Sequence, residues 1–196
     1  SPNGKQQSDH DYPITGYVLK KFIHPTDAWS GTNAARMEKA YPMIRYADIL
    51  LMYAEALNHL TNTYHVELGG ESYTLSRDEA AIGNAIGQVR HRAGLPAPSA
   101  AELADAHTVQ SLLQQERMVE FLFENERYYD VRRWGIYETV EAESFQGMNT
   151  DGDKSTFYRR VTLNTSRTGK RVVNKKMVFL PLPITEVRKA KLIDQN

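Results

Sequence analysis

The clearest pattern in the chain is a series of three amphipathic stretches separated by polar segments. Apolar residues recur three, four and seven positions apart, which places them on one face of a helix. After Pro42 that face comprises Tyr46, Ile49, Leu50, Tyr53, Leu57 and Leu60. The second face comprises Ile82, Ala85, Ile86, Val89 and Ala93, and the third Val109, Leu112, Leu113, Val119 and Phe123. Three long helices are therefore predicted. Asp48 and Glu55 are expected opposite the first apolar face.

Local signals set the expected ends of the second helix. Ser76 followed by Glu79 fits a capping box, in which the hydroxyl and the carboxylate satisfy backbone N–H groups at the helix start. Gly94 supplies a left-handed stop, and Pro96 prevents the helix from continuing.

Similar signals mark the next two helices. Ser99 with Glu102 repeats the capping box and predicts a short helix. Thr108 is the expected N-cap of the third long helix, which should run without a break to Trp134-Gly135.

The remaining segments have weaker patterns. Residues 1–42 are predicted to be irregular with one extended stretch, Tyr17–Phe22, and residues 61–75 are predicted to form a loop. Residues 157–163 and 171–173 are candidates for a short hairpin.

The C-terminal part is punctuated by proline. Pro181 and Pro183 favour an extended Met177–Leu180 run. Thr185 is the expected cap of a final helix over 186–192.

The fold class that follows is mainly α, with tetratricopeptide-like helical hairpins, long loops and little β structure. We expect one domain over 1–196: an irregular lead-in (1–42), a helical scaffold (43–135), and loops with a C-terminal segment (136–196).

Composition narrows the possible functions. The 196 residues carry 24 Lys and Arg against 24 Asp and Glu, so the net charge of zero argues against a nucleic-acid partner. Cysteine is absent, which excludes disulfides and thiolate zinc sites. No apolar run approaches the roughly 18 residues of a membrane span. The polar start is not a signal peptide, and we expect the chain to be a mature domain or a fragment of something longer.

Charged residues interrupt the apolar face of the third helix. At about 100° per residue, Glu116, Glu120 and Arg127 fall on that face, with Glu124 at its edge. One interpretation is a pair of catalytic carboxylates, as in glycoside hydrolysis. The favoured one is a structural ion network in which Arg127 pairs with Glu124, and Arg45, Arg90 and Arg92 serve Glu116 and Glu120. That network comprises Glu116, Glu120, Glu124 and Arg127.

Metal and cofactor signals are weak. None of the six histidines follows a glutamate of this helix by three residues, as di-iron sites require. Residues 149–153 (NTDGD) resemble the start of a calcium loop, but the glycine is misplaced, which favours a plain Asp-Gly turn. We expect no metal, no cofactor and no catalytic residues.

Four motifs in order resemble the SusD/RagB family. They are RYADILLMYAEA (45–56), VRHRAGLP (89–96), the run from Glu116 to Gly135 ending in RWG, and LPLP (180–183) followed by Glu186 and a final Gln195-Asn196. The family commonly has Gly where this chain has Asn125, and a closing Gly-Tyr is missing.

The resemblance implies a non-catalytic nutrient-binding lipoprotein of the outer-membrane surface, of which this chain resembles the C-terminal portion. Its cargo would be oligosaccharide, or peptide in some members, delivered to a SusC-like TonB-dependent transporter. Membrane attachment would be only through an N-terminal lipid anchor absent from this chain. A helical protein-interaction module and a glycoside hydrolase are the rival hypotheses.

Exposed aromatics on loops are the candidate ligand residues, because sugar rings stack on aromatic faces beside polar groups. Trp29 lies in a loop rich in hydrogen-bonding residues, and Tyr64 and Tyr73 lie between the first two predicted helices. Each could instead pack its own loop onto the core.

Overall fold

The computed structural model describes residues 13–28, 35–163 and 171–189. Within them the chain is mainly helical, which confirms the predicted class. In chain order the elements are α1 (Tyr46–Asn58), β1 (Tyr64–Leu68), β2 (Glu71–Leu75), α2 (Glu79–Arg92), α3 (Ala100–Ala104), α4 (Ala106–Glu120), α5 (Glu126–Arg133), α6 (Tyr137–Val140), β3 (Gln146–Met148), β4 (Arg160–Thr162), a 3₁₀ helix (Lys175–Val178) and α7 (Ile184–Lys189).

Two compact units divide the described chain. The helical unit is Tyr41–Asp130, and the second unit comprises the described residues before Tyr41 and after Asp130. The single domain over 1–196, with its three sections, stays a prediction.

The core of the helical unit lies where α1 packs against α2 and α4. It consists of Leu51, Ala54, Leu57, Ile82, Ala85, Ile86, Val89, Val109, Leu113 and Phe121. The predicted faces of α2 and of the first half of α4 are therefore largely correct. Ala93 is the exception on α2, because it follows the last helical residue and is exposed.

The predicted face of α1 is only partly correct. Leu57 is buried, and Leu50 and Leu60 pack against the core, as predicted. Tyr46, Ile49 and Tyr53 are exposed, whereas Leu51 and Ala54 are fully buried. Glu55, expected on the outer face, is buried. The helix carries apolar residues around most of its circumference, so periodicity alone could not select the packed face.

Aspartates cap two of the helices where hydroxyl residues were predicted. Asp78, and not Ser76, accepts the N–H of Ala81 at the start of α2. Asp105 accepts the backbone N–H of Thr108, so Thr108 lies inside α4 and is not its cap. A carboxylate at this position also interacts favourably with the helix dipole.

Two other predicted helix ends are correct. Ser99 and Glu102 form the reciprocal capping box of α3. Gly94 follows α2 with φ of 77°, the left-handed conformation expected of a terminating glycine.

The third helix is broken, contrary to prediction. It ends at Glu120, and a turn precedes α5. Phe123 and Asn125 in that turn have φ of 63° and 67°, a left-handed region that continues no helix. Val119 and Phe123, both expected on the buried face, are 65% and 62% exposed.

The segment after α1 is a β-hairpin, where a loop was predicted. β1 and β2 pair antiparallel, with Leu68 opposite Glu71 across Gly69-Gly70. Both glycines have positive φ (64° and 85°), as a two-residue type I′ turn requires. The Gly-Gly pair flanked by alternating apolar residues was the sequence signal for this hairpin.

The second unit contains a small two-stranded sheet whose pairing differs from the prediction. β4 pairs with β3, so the partner of 157–163 is 146–148 and not 171–173. Residues 17–22 form no strand, and Phe22 has φ of 64°.

The C-terminal segment also differs from its prediction. Lys175–Val178 is 3₁₀ helix where an extended run was expected. The last helix begins at Ile184, ahead of Thr185, because the carbonyl of Pro183 accepts the N–H of Glu186. Its predicted end at 190–192 lies outside the described residues.

Truncation of Ile86 tests the core assignment. Ile86 is fully buried on α2, so Ile86→Ala should reduce the free energy of unfolding by about 2–5 kcal/mol. Ile44 is 73% exposed, and Ile44→Ala should change it by less than about 0.5 kcal/mol. Urea denaturation of both variants provides the comparison, and equal effects would contradict this core.

Candidate functional site

A buried arginine joins three segments of the helical unit. Arg117, on α4, is 3% exposed. Its Nε donates to Asp130 Oδ2 at 2.8 Å, and its Nη1 donates to Asp48 Oδ1 at 2.8 Å. Nη2 reaches Glu126 Oε2 at 3.4 Å. The guanidinium thereby links α4 to α1 and to both halves of α5.

A second arginine holds the turn between α4 and α5. Arg45 Nε and Nη2 donate to the two carboxylate oxygens of Glu124 at 2.8 and 2.9 Å. Its Nη1 donates to Glu120 Oε1 at 2.7 Å, and Nη2 also donates to the Glu120 carbonyl at 3.2 Å. The planar fork of arginine suits this bidentate contact.

Two more ion pairs and one aromatic ring complete the cluster. Arg90 pairs with Glu116, and Arg92 pairs with Glu120. The ring of Phe121 lies 5.0 Å from the Arg45 guanidinium and 4.9 Å from that of Arg117. A cation above an aromatic ring is attracted by the partial negative charge of the ring face. We call this set of four arginines and their acidic partners the arginine cluster.

Burial and ion pairing act in opposite directions on this cluster. Burial opposes the charge of Arg117, but hydrogen bonds to Asp130 and Asp48 outweigh it and raise the pKa of Arg117. Burial raises the pKa of Glu126, and the nearby Asp48 carboxylate adds to that rise. Arg117 therefore stays protonated at neutral pH.

The structure differs from the predicted ion network at one member. Glu116, Glu120 and Glu124 all contact arginines, as described above. Arg127 does not pair with Glu124, which is held by Arg45, and the described chain shows no ion pair for Arg127. The break after Glu120 changes the direction of the following residues, so the predicted spacing of 124 and 127 no longer applies.

The prediction missed Arg117 and Asp130. Arg117 lies four residues after Leu113 and eight after Val109, the two fully buried apolar positions of α4. That spacing places it on the packed face and could have identified it.

The candidate ligand residues Tyr64 and Tyr73 share one face of the β1–β2 hairpin. Tyr64 lies opposite Leu75, and Val66 lies opposite Tyr73. Residues directly opposite in an antiparallel pair point to the same side. We call this side the tyrosine face; it comprises Tyr64, Val66, Leu68, Glu71, Tyr73 and Leu75.

Every residue of both strands is exposed. Tyr64 and Tyr73 are 42% and 43% exposed, and the hydroxyl of Tyr73 donates to Glu71 Oε2 at 2.7 Å. The pKa of Tyr73 is raised by this carboxylate, while hydrogen bonds with Thr61 and Asn62 lower the pKa of Tyr64. Both rings are accessible and have polar groups beside them. Trp29, the third candidate, lies outside the described residues.

Hydrogen bonds of Asn58 and Arg77 anchor the base of the hairpin, and we call this pair the latch. Asn58, at the end of α1, donates to the carbonyl of Ala106 at 2.9 Å and accepts from Arg77 Nε at 3.1 Å. Arg77 also donates to the carbonyl of Leu103 at 2.6 Å. Asn58 and Arg77, which flank the hairpin in sequence, thus contact each other and the backbone of α3 and α4.

The predicted Asp-Gly turn is present at 149–153. Gly152 N–H donates to the carbonyl of Asn149 at 2.9 Å. Asp153 Oδ1 accepts the N–H groups of Ser155 and Thr156. Among the described residues, no group of three His, Asp or Glu side chains is arranged to hold a metal ion.

These features define a helical scaffold protein with a charged cluster in its interior and an exposed aromatic hairpin. Within 13–28, 35–163 and 171–189, none of the helices is long and apolar enough to cross a membrane. The sequence matches the SusD family over residues 1–196, and the chain belongs to this family.

Solved structures show the same fold. The selenomethionine form of BT4246 superimposes with a TM-score of 0.70 at 24% identity, over 94% of this chain and 29% of that one. BT4246 itself gives 0.66 at 24% identity, over 93% and 28%. A SusD-like protein, BF3747 from Bacteroides fragilis NCTC 9343, gives 0.53 at 26% identity, over 79% and 25%.

The chain thus spans between a quarter and a third of the length of these solved proteins. The likeness supports the tetratricopeptide-like fold expected from the sequence. No curated protein matches the chain.

Removal of Arg117 tests the role of the cluster. Arg117→Met should lower the free energy of unfolding by about 3–5 kcal/mol, because the buried Asp130 and the half-buried Asp48 would lose their cation. Arg92 is the matched control: its side chain is 63% exposed, and Glu120 keeps Arg45, so Arg92→Gln should cost about 1 kcal/mol or less. Chemical denaturation measures both. Similar losses for the two variants would refute a special role for Arg117.

Proposed function

We propose that this chain belongs to a non-catalytic, nutrient-binding lipoprotein of the outer-membrane surface. It binds oligosaccharide and delivers it to a SusC-like TonB-dependent transporter. The observation that carries this proposal is the match to the SusD family over the whole chain. Attachment to the membrane through an N-terminal lipid anchor is part of the same proposal.

The tyrosine face of the hairpin is the proposed cargo contact. Tyr64 and Tyr73 project from the same side of a ribbon whose base is latched to the helices. Sugar rings stack their C–H surfaces on such aromatic faces, and the Glu71 carboxylate lies beside Tyr73 to accept hydroxyl hydrogens. Trp29 remains a candidate from the sequence.

The geometry of Glu116 and Glu120 supports a non-catalytic role. A glycosidase needs one carboxyl to give up a proton and the other to attack or to activate water beside an open cleft. Here the side chains of Glu116 and Glu120 are only 12% and 9% exposed. Arg90 pairs with Glu116, and Arg45 and Arg92 pair with Glu120. Both carboxylates are therefore engaged in ion pairs within the arginine cluster.

A second candidate function is the binding of peptide or of a protein partner. Leu68, Val66 and Leu75 share the tyrosine face and are 70%, 42% and 40% exposed. Alternating apolar side chains on a ribbon also suit an added peptide strand. Peptide arrays run beside glycan arrays separate the two functions.

Glycan binding by the purified chain tests the cargo site. Tyr64→Ala and Tyr73→Ala should each weaken binding about threefold to tenfold, because each removes one stacking ring. Tyr158→Ala is the control, since Tyr158 is 80% exposed and lies in the second unit. Calorimetry on array hits provides the affinities, and Trp29→Ala extends the series. If Tyr64→Ala and Tyr73→Ala bind glycan with the same affinity as the Tyr158→Ala control, the hairpin is not the binding site.

Neutralisation of Glu120 tests the absence of catalysis. Glu120→Gln should lower the free energy of unfolding by about 1–3 kcal/mol, because it weakens charge-assisted hydrogen bonds from Arg45 and Arg92. The glycan affinity of the variant should equal that of the wild-type chain. Neither the wild-type chain nor Glu120→Gln should release reducing sugar from the glycan. A wild-type chain that cleaves glycan, together with a stable but inactive Glu120→Gln variant, would instead establish a hydrolase.

A further inference from the structure

The hairpin is acidic and lies in a long stretch of the chain without strong cations. Between Arg45 and Arg77 the sequence contains no Lys or Arg. The same stretch holds Asp48, Glu55, Glu67 and Glu71. The hairpin itself carries both Glu67 and Glu71, with His65 as its one basic side chain.

The basic residues nearest to the hairpin in sequence make their contacts away from the tyrosine face. His65 lies on the opposite side of the ribbon, where its Nδ1 is 3.1 Å from Thr74 Oγ1. All three nitrogens of Arg77 are used at the latch and by Glu79, and its side chain is 19% exposed. Arg45 is held by Glu120 and Glu124.

Glu71 is the charged group of the tyrosine face. It lies opposite Leu68, and one of its oxygens accepts the Tyr73 hydroxyl. Glu67, by contrast, is on the other side, where Ser72 Oγ donates to it at 3.1 Å. A ligand stacked on Tyr73 therefore lies beside a carboxylate, and none of the three described basic side chains His65, Arg77 and Arg45 is directed to this face.

From this arrangement, and resting on the function proposed above, we propose that the tyrosine face accepts uncharged glycans and discriminates against glycans that carry carboxylate or sulfate groups. A carboxylate accepts the hydroxyl hydrogens of a neutral sugar in charge-assisted hydrogen bonds. It repels a uronate at the same position, and recognition of a uronate normally uses arginine or lysine. Glu71 is the residue that sets this preference.

The experiment compares pairs of glycans that differ only at C6, where a neutral hydroxymethyl group is replaced by a carboxylate. Neutral α-1,4-glucan, β-1,4-glucan, β-1,4-galactan and β-1,4-mannan oligosaccharides are tested against the whole chain. Each one is also oxidised at C6 to its uronate. At low ionic strength the neutral form should bind at least about tenfold tighter than its uronate, and added salt should narrow that ratio.

Two glutamate variants assign the preference to one side of the ribbon. Glu71→Gln should raise uronate affinity at least about threefold and change neutral-glycan affinity less than that, because the amide oxygen still accepts a hydrogen bond. Glu67→Gln is the matched control on the opposite side and should leave both affinities unchanged.

The outcomes separate this inference from the proposed function. A uronate that binds as tightly as its neutral partner, and loses affinity in Tyr64→Ala, would overturn the charge preference and leave the cargo site in place. An effect of Glu67→Gln equal to that of Glu71→Gln would remove Glu71 as the determinant. If no glycan binds, or if binding ignores Tyr64 and Tyr73, the proposed cargo site fails and the preference with it.

Discussion

The buried guanidinium of Arg117 is the contact on which the arrangement of the helical unit depends. It bonds to Asp48 near the start of α1, to Asp130 within α5, and to Glu126 at the start of α5. Desolvation makes the net stability of such a pair small, while the loss of one partner is costly. The contact therefore constrains the positions of α1 and α5 against α4 more than it adds net stability.

The strained turn after α4 follows from the same cluster. Phe123 and Asn125 adopt positive φ, which costs free energy for a residue with a side chain. Arg45 contacts both ends of that turn, at Glu120 and Glu124. A bidentate ion pair across four residues can stabilise a conformation that these residues would not adopt alone.

Elements could be predicted from the sequence more readily than their ends and partners. Apolar spacing identified α2, because its polar and apolar sides differ. It could not fully orient α1, where apolar residues cover most of the circumference. It also could not reveal the break at Glu120, where the distant Arg45 contacts both ends of the turn. For the site, the spacing placed Glu116 and Glu120 among apolar residues, but Arg117 was missed. Tyr64 and Tyr73 were selected as exposed aromatics, yet their shared side required the strand register set by Gly69-Gly70.

The structure separates the residues that maintain the fold from those proposed to bind cargo. The apolar core and the Arg117–Asp130 pair at the centre of the arginine cluster are buried, so most substitutions there carry a large cost in stability. Every strand residue of the hairpin is exposed, and the Asn58–Arg77 latch holds the hairpin by its base without using the tyrosine face. Side chains such as Glu71 can therefore change with little effect on stability. On the proposed assignment, a single scaffold could accommodate different cargoes through substitutions confined to this ribbon.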